Sequence, residues 1–373
     1  MKRTLLFASL TLASSSTWAV VNGTPVDWSS QDNIVRLDGK GYYGDTRLGQ
    51  CTGTLIAGKY VLTAAHCLKK EGDIDTVTPV SEKGQAVQFS QFKRHPNYIP
   101  NEDFGGEDVG WIELESASID YQHIQFFPTL TSSSLIKGQG IFVTGFGGTT
   151  WDESPLNRAD FEYEKTLGTA PYGKPYIIYI TQKNASHTTG GDSGSAWTNA
   201  HNEIIGVHKG SKTSSTGNGD DYVSIRETYG TDLHYASDFI LETINGWHYP
   251  TIANANGQTT ITIQSLHQSV NQPDPSNEMW TEGDATFVSD ASSCFHQALS
   301  PYQKCTLVIE SQGGEGVVWL SANEAININK PIKQPEGDNA NGSSGGSSSG
   351  ASFGFWSLLL MAGLAWGRRR QWR

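Results

Sequence analysis

The four cysteines of this 373-residue chain form two close pairs, Cys51 with Cys67 and Cys294 with Cys305, separated by more than half the sequence. That spacing, with no Cys-x-x-Cys, predicts two separately cross-linked units made for an oxidising compartment, one disulfide in each. Zinc is the rival use of such residues. His66 beside Cys67 lacks further ligands at zinc spacing, so neither a metal nor another cofactor is expected. With 41 glycines, 11 tryptophans and only 17% charged residues, the composition suits loop-rich β structure better than a helical bundle. The net charge of −12 would repel a phosphate backbone, which argues against nucleic acid as a partner.

Both ends read as addresses. Lys2 and Arg3 precede an apolar run, Leu5 to Leu12, and a small-residue stretch ending at Ala19. Residues 1–19 are therefore expected to be a secretory signal peptide cut by signal peptidase. Residues 334–352 form a Gly/Ser-rich linker, and residues 353–373 an apolar segment ending in Arg368, Arg369 and Arg370. Phe353 to Trp366 as a helix would reach about 21 Å, short of the roughly 30 Å hydrocarbon core. With Gly345-Gly346 ahead of it, this tail resembles the bacterial GlyGly-type C-terminal sorting signal. That resemblance implies cleavage by a rhomboid-like protease after passage through the secretion machinery. A lasting transmembrane anchor is the other reading. Losing residues 1–19 and 353–373 removes six of 26 basic residues and none of 38 acids, taking the charge from −12 to −18.

The middle of the chain carries the chemistry. Two β-prone runs flank a turn at Gly58, and the second leads into Thr63-Ala-Ala-His66-Cys67. Asp108 opens an alternating strand, Val109-Gly-Trp-Ile-Glu-Leu, and Gly190-Gly-Asp-Ser193-Gly-Ser supplies a serine among glycines. A serine hydroxyl is a weak nucleophile unless a base takes its proton, and the base needs an acid to fix its tautomer. Glycines let the chain turn tightly enough for amides to face a developing oxyanion.

These segments, in the order His, Asp, Ser, resemble the trypsin/chymotrypsin-like serine endopeptidases over roughly Val20 to Tyr249. The resemblance implies an all-β, two-barrel fold over residues 20–249. It implies Ser193 as nucleophile, His66 as general base and acid, and Asp108 as orienting carboxylate, with Asp103 the rival acid. The N–H groups of Gly191 and Ser193 would form the oxyanion hole, and Cys51–Cys67 would brace the histidine loop. Cleavage after Ala19 would expose Val20-Val21-Asn22-Gly23, similar to the family's mature start, whose amine pairs with the acid before the nucleophile, here Asp192.

The position that is an Asp in trypsin-like members, six residues before the nucleophile, is His187. Thr188 and His208 instead resemble the carboxylate-holding pair of bacterial glutamyl endopeptidases, which implies a preference for Glu before the scissile bond. Two alternatives stay open: His187 and His208 lining a pocket for apolar or mixed side chains, and a basic preference set by Asp220, Asp221 or Asp232.

Tyr235, Phe239, Ile240 and Ile244 recur at helical spacing, with Gly246 as the stop. Residues 250–333, with short alternating runs such as Cys305-Thr-Leu-Val-Ile-Glu, predict a small immunoglobulin-like β-sandwich closed by Cys294–Cys305. His267 and His296 are expected to be surface residues. The chain thus reads as a secreted or surface-held serine endopeptidase acting on proteins or peptides. The alternative is a surface-displayed binding protein on a protease-like fold, with the sandwich as its adhesive part.

Overall fold

The computed structural model describes residues 20–40, 47–68, 74, 76–79, 87, 89–100, 102, 104–115, 119–147, 156–169, 173–216 and 223–331. The expected signal peptide, the linker and apolar tail, and Asp103, Asp220 and Asp221 lie outside the described residues. Among the described residues no helix is long and apolar enough to cross a membrane.

A short β1 (Thr24–Pro25) precedes six strands: β2 (Ile34–Lys40), β3 (Arg47–Ile56), β4 (Tyr60–Thr63), β5 (Thr76–Pro79), β6 (Phe89–Arg94) and β7 (Gly110–Leu114). These six pair in the order β5-β2-β3-β4-β7-β6, every ladder antiparallel. Leu55, Val61, Leu62, Trp111 and Ile112 are buried in one apolar cluster that covers both faces of these strands.

The second barrel uses β8 (Gly140–Gly145), β9 (Asn157–Leu167), β10 (Lys174–Gln182), β11 (Ala196–Thr198), β12 (Ile204–Thr216) and β13 (Val223–Asp232). Its order is β9-β10-β13-β12-β11-β8, and a β8–β9 ladder closes the ring. The strict alternation of β8, with Ile141 and Val143 buried, is what a strand with one face on a core requires. Val20 lies in that same core, wholly buried.

The expected helix forms as α1 (Ser237–Ile244), with Phe239, Ile240, Leu241 and Ile244 buried. Two details differ from the sequence expectation. Tyr235 is 38% exposed in the 3-10 turn Leu233–Ala236 before the helix. The helix stops at Asn245, which takes the left-handed conformation at φ 39° and donates its N–H to the Leu241 carbonyl. Asn is the side chain, after Gly, that best tolerates this region. Gly246 is needed for another reason: a Cβ there would sit 2.4 Å from Glu324 Oε1, the oxygen that accepts the Trp247 N–H.

The remaining strands are β14 (Trp247–His248), β15 (Ile252–Ala253), β16 (Gly257–Ser265), β17 (Trp280–Gly283), β18 (Thr286–Phe287), β19 (Lys304–Ser311), β20 (Gly316–Ser321) and β21 (Glu324–Ile328). They make two four-stranded sheets, β14-β16-β19-β18 and β15-β21-β20-β17, with Ile263, Leu307, Val318 and Ile326 buried in one core. Trp247 and Tyr249 already belong to that core, so the chain changes unit near Gly246, earlier than the boundary expected after Tyr249. His267, expected at the surface, packs its ring against Trp247 at 5.0 Å. Burial depresses its pKa to about 4.

The seam between barrels and sandwich is apolar and hydrogen-bonded. Buried Gln264 accepts from the Phe127 N–H at 3.0 Å and donates to the carbonyls of Phe127 and Tyr302 at 2.7 and 2.8 Å. His248 accepts the Ala57 N–H on Nδ1 at 3.1 Å and donates Nε2–H to the Gln125 carbonyl at 2.9 Å. Leu266 and Tyr302 of the sandwich pack into the same apolar cluster as Phe127 and Ile240 of the barrels.

Candidate active site

His66 lies in the 3-10 turn Ala65–Leu68 that follows β4, and Cys67 ties that turn to β3 through its disulfide with Cys51. Cys294 and Cys305 form the second bond. Asp108, just before β7, grips His66 twice. Its Oδ1 accepts the His66 backbone N–H and its Oδ2 faces Nδ1, both at 2.8 Å. The turn can come this close to β7 because position 110 is glycine: a Cβ there would meet Leu68 Cδ1 at 2.7 Å.

Asp108 is fully buried, which by itself would push its carboxyl up. The contacts and charges of His66 and Lys209 outweigh burial and hold it at about 2. An ionised Asp108 can only accept hydrogen bonds, so Nδ1 of His66 carries the proton and Nε2 is left as the basic nitrogen.

Lys209 was not anticipated from the sequence. Its ammonium reaches Asp108 Oδ2 at 2.9 Å with the side chain only 10% exposed. The cause is a bulge: in the β12–β13 ladder His208 faces Gly230 and Gly210 faces Tyr229, leaving Lys209 as the extra residue. Bulges re-aim side chains in this way, and nothing in the local sequence marks one here.

Ser193 sits between two glycines with positive φ, Gly191 at 102° and Gly194 at 85°. A Cβ on Gly194 would lie 2.1 Å from Thr63 Oγ1 and 2.4 Å from the Thr52 carbonyl. The turn is pinned to both barrels. The Ser193 carbonyl accepts from the Thr52 N–H at 2.8 Å, and the Gly194 N–H donates to the His208 carbonyl at 2.9 Å. The Ser193 hydroxyl lies 3.5 Å from the Lys209 carbonyl. Among the described residues neither the Gly191 nor the Ser193 N–H has a protein partner.

Asp192 is wholly buried and accepts the Gly147 N–H at 2.7 Å and the Thr189 N–H at 2.8 Å. Burial nevertheless lifts its pKa to about 7. In the uncut chain the Val20 nitrogen is an amide, and among the described residues no ion pair joins Val20 or any other cation to Asp192.

The expected specificity residues separate. His187 pairs its backbone with Val21 and turns Nδ1 to the Ala185 carbonyl at 3.2 Å, in a partly exposed loop. Thr188 and His208 are buried, and among the described residues neither Thr188 Oγ1 nor His208 Nδ1 has a partner. Burial, with the nearby charges of His66 and Arg226, drops the His208 pKa to about 3, so this ring is neutral rather than a source of charge. The positive group is Arg226, unremarked in the sequence, whose Nη2 donates to the Thr188 carbonyl and, at 2.7 Å, to Ser211 Oγ. Asp232 is committed elsewhere, accepting from Ser133 Oγ at 2.6 Å and from the His234 N–H at 3.0 Å.

Cys51, His66 and Cys67 lie close enough to suggest a metal cluster, but both sulfurs are in the disulfide and offer no thiolate.

The Trypsin family profile matches residues 20–229. The chain is 28% identical over 209 residues to chymotrypsin-like elastase family member 1 of Bos taurus, covering 52% of this chain and 77% of the relative. The Macaca fascicularis counterpart is 25% identical over 234 residues, covering 58% and 81%. Among solved structures, the Vibrio cholerae VesB protease aligns over 83% of this chain and 99% of its own, at 18% identity and TM-score 0.43. Mouse neuropsin, a serine protease, aligns over 60% and 98%, at 20% identity and TM-score 0.42. With the family profile spanning more than half of its residues, this chain belongs to the trypsin family and is a serine-type endopeptidase acting on protein or peptide substrates.

Proposed function

We propose that the protein is made as an exported precursor and works as a Ser-His-Asp endopeptidase outside the cytoplasm. The observation that carries this reading is the double hold of Asp108 on His66, through the backbone N–H and Nδ1, together with the glycine-flanked Ser193, whose hydroxyl lies 3.5 Å from the carbonyl of Lys209, the residue that also holds Asp108. The Ser193 oxygen attacks the substrate carbonyl carbon while its proton passes to Nε2 of His66. The resulting oxyanion is met by the N–H groups of Gly191 and Ser193. His66 then returns the proton to the departing amine, the C–N bond breaks, and an acyl-enzyme ester remains on Ser193. Water, deprotonated by His66, repeats the sequence and releases the acid. Losing one oxyanion donor typically costs about 3 kcal/mol of transition-state stabilisation.

Signal peptidase creates the mature start at Val20, and the new ammonium pairs with Asp192. A wholly buried carboxyl that accepts two backbone amides, makes no direct ion pair among the described residues, and stands at about 7 despite the nearby charge of Arg226, is a group with room for a closer cation. The substrate residue before the scissile bond is acidic, held by the pocket that Thr188 and His208 line. The tail 353–373 retains the protein at the cell surface or is removed by a rhomboid-like protease. The sandwich serves as a brace, since Gln264, His248 and Tyr302 lock it to the barrels.

The test is labelling of the purified, processed protein with a serine-directed phosphonate, beside Ser193→Ala, followed by digestion of a diverse peptide library. Labelling and cleavage that both vanish in the variant support the reading. A folded wild-type protein that neither labels nor cleaves would sink it and favour a binding protein on a protease fold.

A further inference from the structure

Two segments meet at Ser193: Thr188–Ser193 itself and the middle of β12, His208 to Ser211, whose Lys209 carbonyl lies 3.5 Å from the Ser193 hydroxyl and whose His208 carbonyl accepts the Gly194 N–H. Arg226 spans them. One guanidinium nitrogen donates to the Thr188 carbonyl on the first segment and to Ser211 Oγ on the second. Ser211 faces Thr228 across the β12–β13 ladder, and Thr228 stands two residues from Arg226, so both β13 side chains lie on one face of the strand. Among the described residues, Thr188 Oγ1, Thr228 Oγ1, His208 Nδ1 and Arg226 Nε are all buried without a hydrogen-bond partner.

Four unsatisfied polar atoms on residues joined by the Arg226 bonds and one stretch of the β12–β13 ladder are unusual, because each such group typically costs about 1–3 kcal/mol. Three of them, the two hydroxyls and the Nε–H, can donate. Among the described residues no carboxylate pairs with Arg226. The acid next to it, Glu227, is turned to Lys165 and Lys212 at 3.9 and 3.3 Å. Asp192 already accepts two backbone amides. The charge of Arg226 acts on Asp192 without a direct ion pair among the described residues, and a donor-rich site around such a guanidinium is complementary to one chemical class, a carboxylate.

We propose that Arg226 is the specificity-determining residue of this protease, supplying the charge that binds a substrate Glu or Asp side chain before the scissile bond. The assignment rests on the endopeptidase reading above and changes its account of the pocket. His208 acts as a neutral hydrogen-bonding wall and Thr188 as a hydroxyl donor, while the fixed positive charge comes from β13. A guanidinium stays charged at every working pH, so the preference does not depend on protonating a buried histidine.

The experiment compares processed wild-type protein with Arg226→Gln and Arg226→Lys on matched peptides bearing Glu or its neutral isostere Gln before the scissile bond. Phosphonate labelling of Ser193 monitors the catalytic machinery separately. Wild type is expected to favour Glu by about a hundredfold in kcat/KM. Arg226→Gln should bring the Glu-to-Gln ratio close to one, and Arg226→Lys should keep part of it. A wild-type ratio near one overturns the proposal, and so does an Arg226→Gln enzyme that retains the wild-type ratio. If Arg226→Gln does not fold, the wild-type ratio and Arg226→Lys still decide: no Glu preference, or full preference in the Lys variant, overturns it. Wild-type protein that neither labels nor cuts overturns the endopeptidase reading itself, and this assignment with it.

Discussion

Lys209 and Asp108 form a buried ion pair at 2.9 Å, on the same oxygen that receives Nδ1 of His66. The carboxylate therefore serves two cations when the ring is protonated, and its charge is shared between them. Lys209→Met removes the competitor. Asp108, held at about 2 in part by Lys209, then loses one of the charges that keep it ionised, so the acid loss of kcat/KM should begin at higher pH. The same loss in a buried site should make unfolding easier by about 1–3 kcal/mol. A pH–rate profile unchanged from wild type would show that Lys209 only fills space.

The nucleophile turn discriminates between neighbouring glycines. Gly194 has φ 85° and its Cβ would collide with Thr63 Oγ1 and the Thr52 carbonyl, whereas a Cβ on Gly190 meets nothing within 4 Å. Gly194→Ala should abolish phosphonate labelling and lower the unfolding temperature. Gly190→Ala should leave both within about twofold or 0.5 kcal/mol of wild type.

His248 is buried with both ring nitrogens engaged, and burial holds its pKa at about 4 against an ordinary 6.5. The unfolded chain binds the proton more tightly, so stability falls as pH drops from 6.5 towards 4, by about 1.4 kcal/mol per pH unit for each such histidine. His208 and His267 add in the same direction. Thermal unfolding followed between pH 7 and 4.5 should show a steep decline in wild type and a shallower one in His248→Gln. Equal slopes would remove His248 from the account.

The start of the mature chain should matter by a whole residue. A protein beginning at Ala19 places its ammonium one residue from Val20, whose side chain is fixed in the second-barrel core. Asp192 would then stay without its partner. Breaking such a pair costs roughly 3–5 kcal/mol, so kcat/KM should fall by at least about a hundredfold. N-terminal sequencing paired with active-site titration measures this, and full activity from an Ala19 start would refute it.

The parts of this site legible in the sequence are those whose requirements are local. A histidine after a strand and beside a cysteine, an acid opening a later strand, and a serine among glycines each record a backbone geometry that only certain residues adopt. Gly191 and Gly194 are visible for that reason: their positive φ values exclude most side chains. The alternating strands and the two cysteine pairs likewise specify β units and their cross-links within short stretches of chain.

What the sequence could not reveal is set by register and burial across long separations. Lys209 reaches Asp108 because a bulge in the β12–β13 ladder redirects it, and Arg226 reaches Thr188 because the closed barrel brings β13 beside the nucleophile loop. His208 looked like a carboxylate ligand able to carry charge, yet enclosure on every side keeps it neutral. The change of unit at Gly246 shows the same division. Helical spacing marked the end of the protease helix, but only the packing of Trp247 and Tyr249 decided which core the following residues joined. Local patterning thus determined the elements and the reacting groups. The tertiary structure decided their charges and partners, because electrostatic environment depends on neighbours that the chain supplies from a hundred residues away.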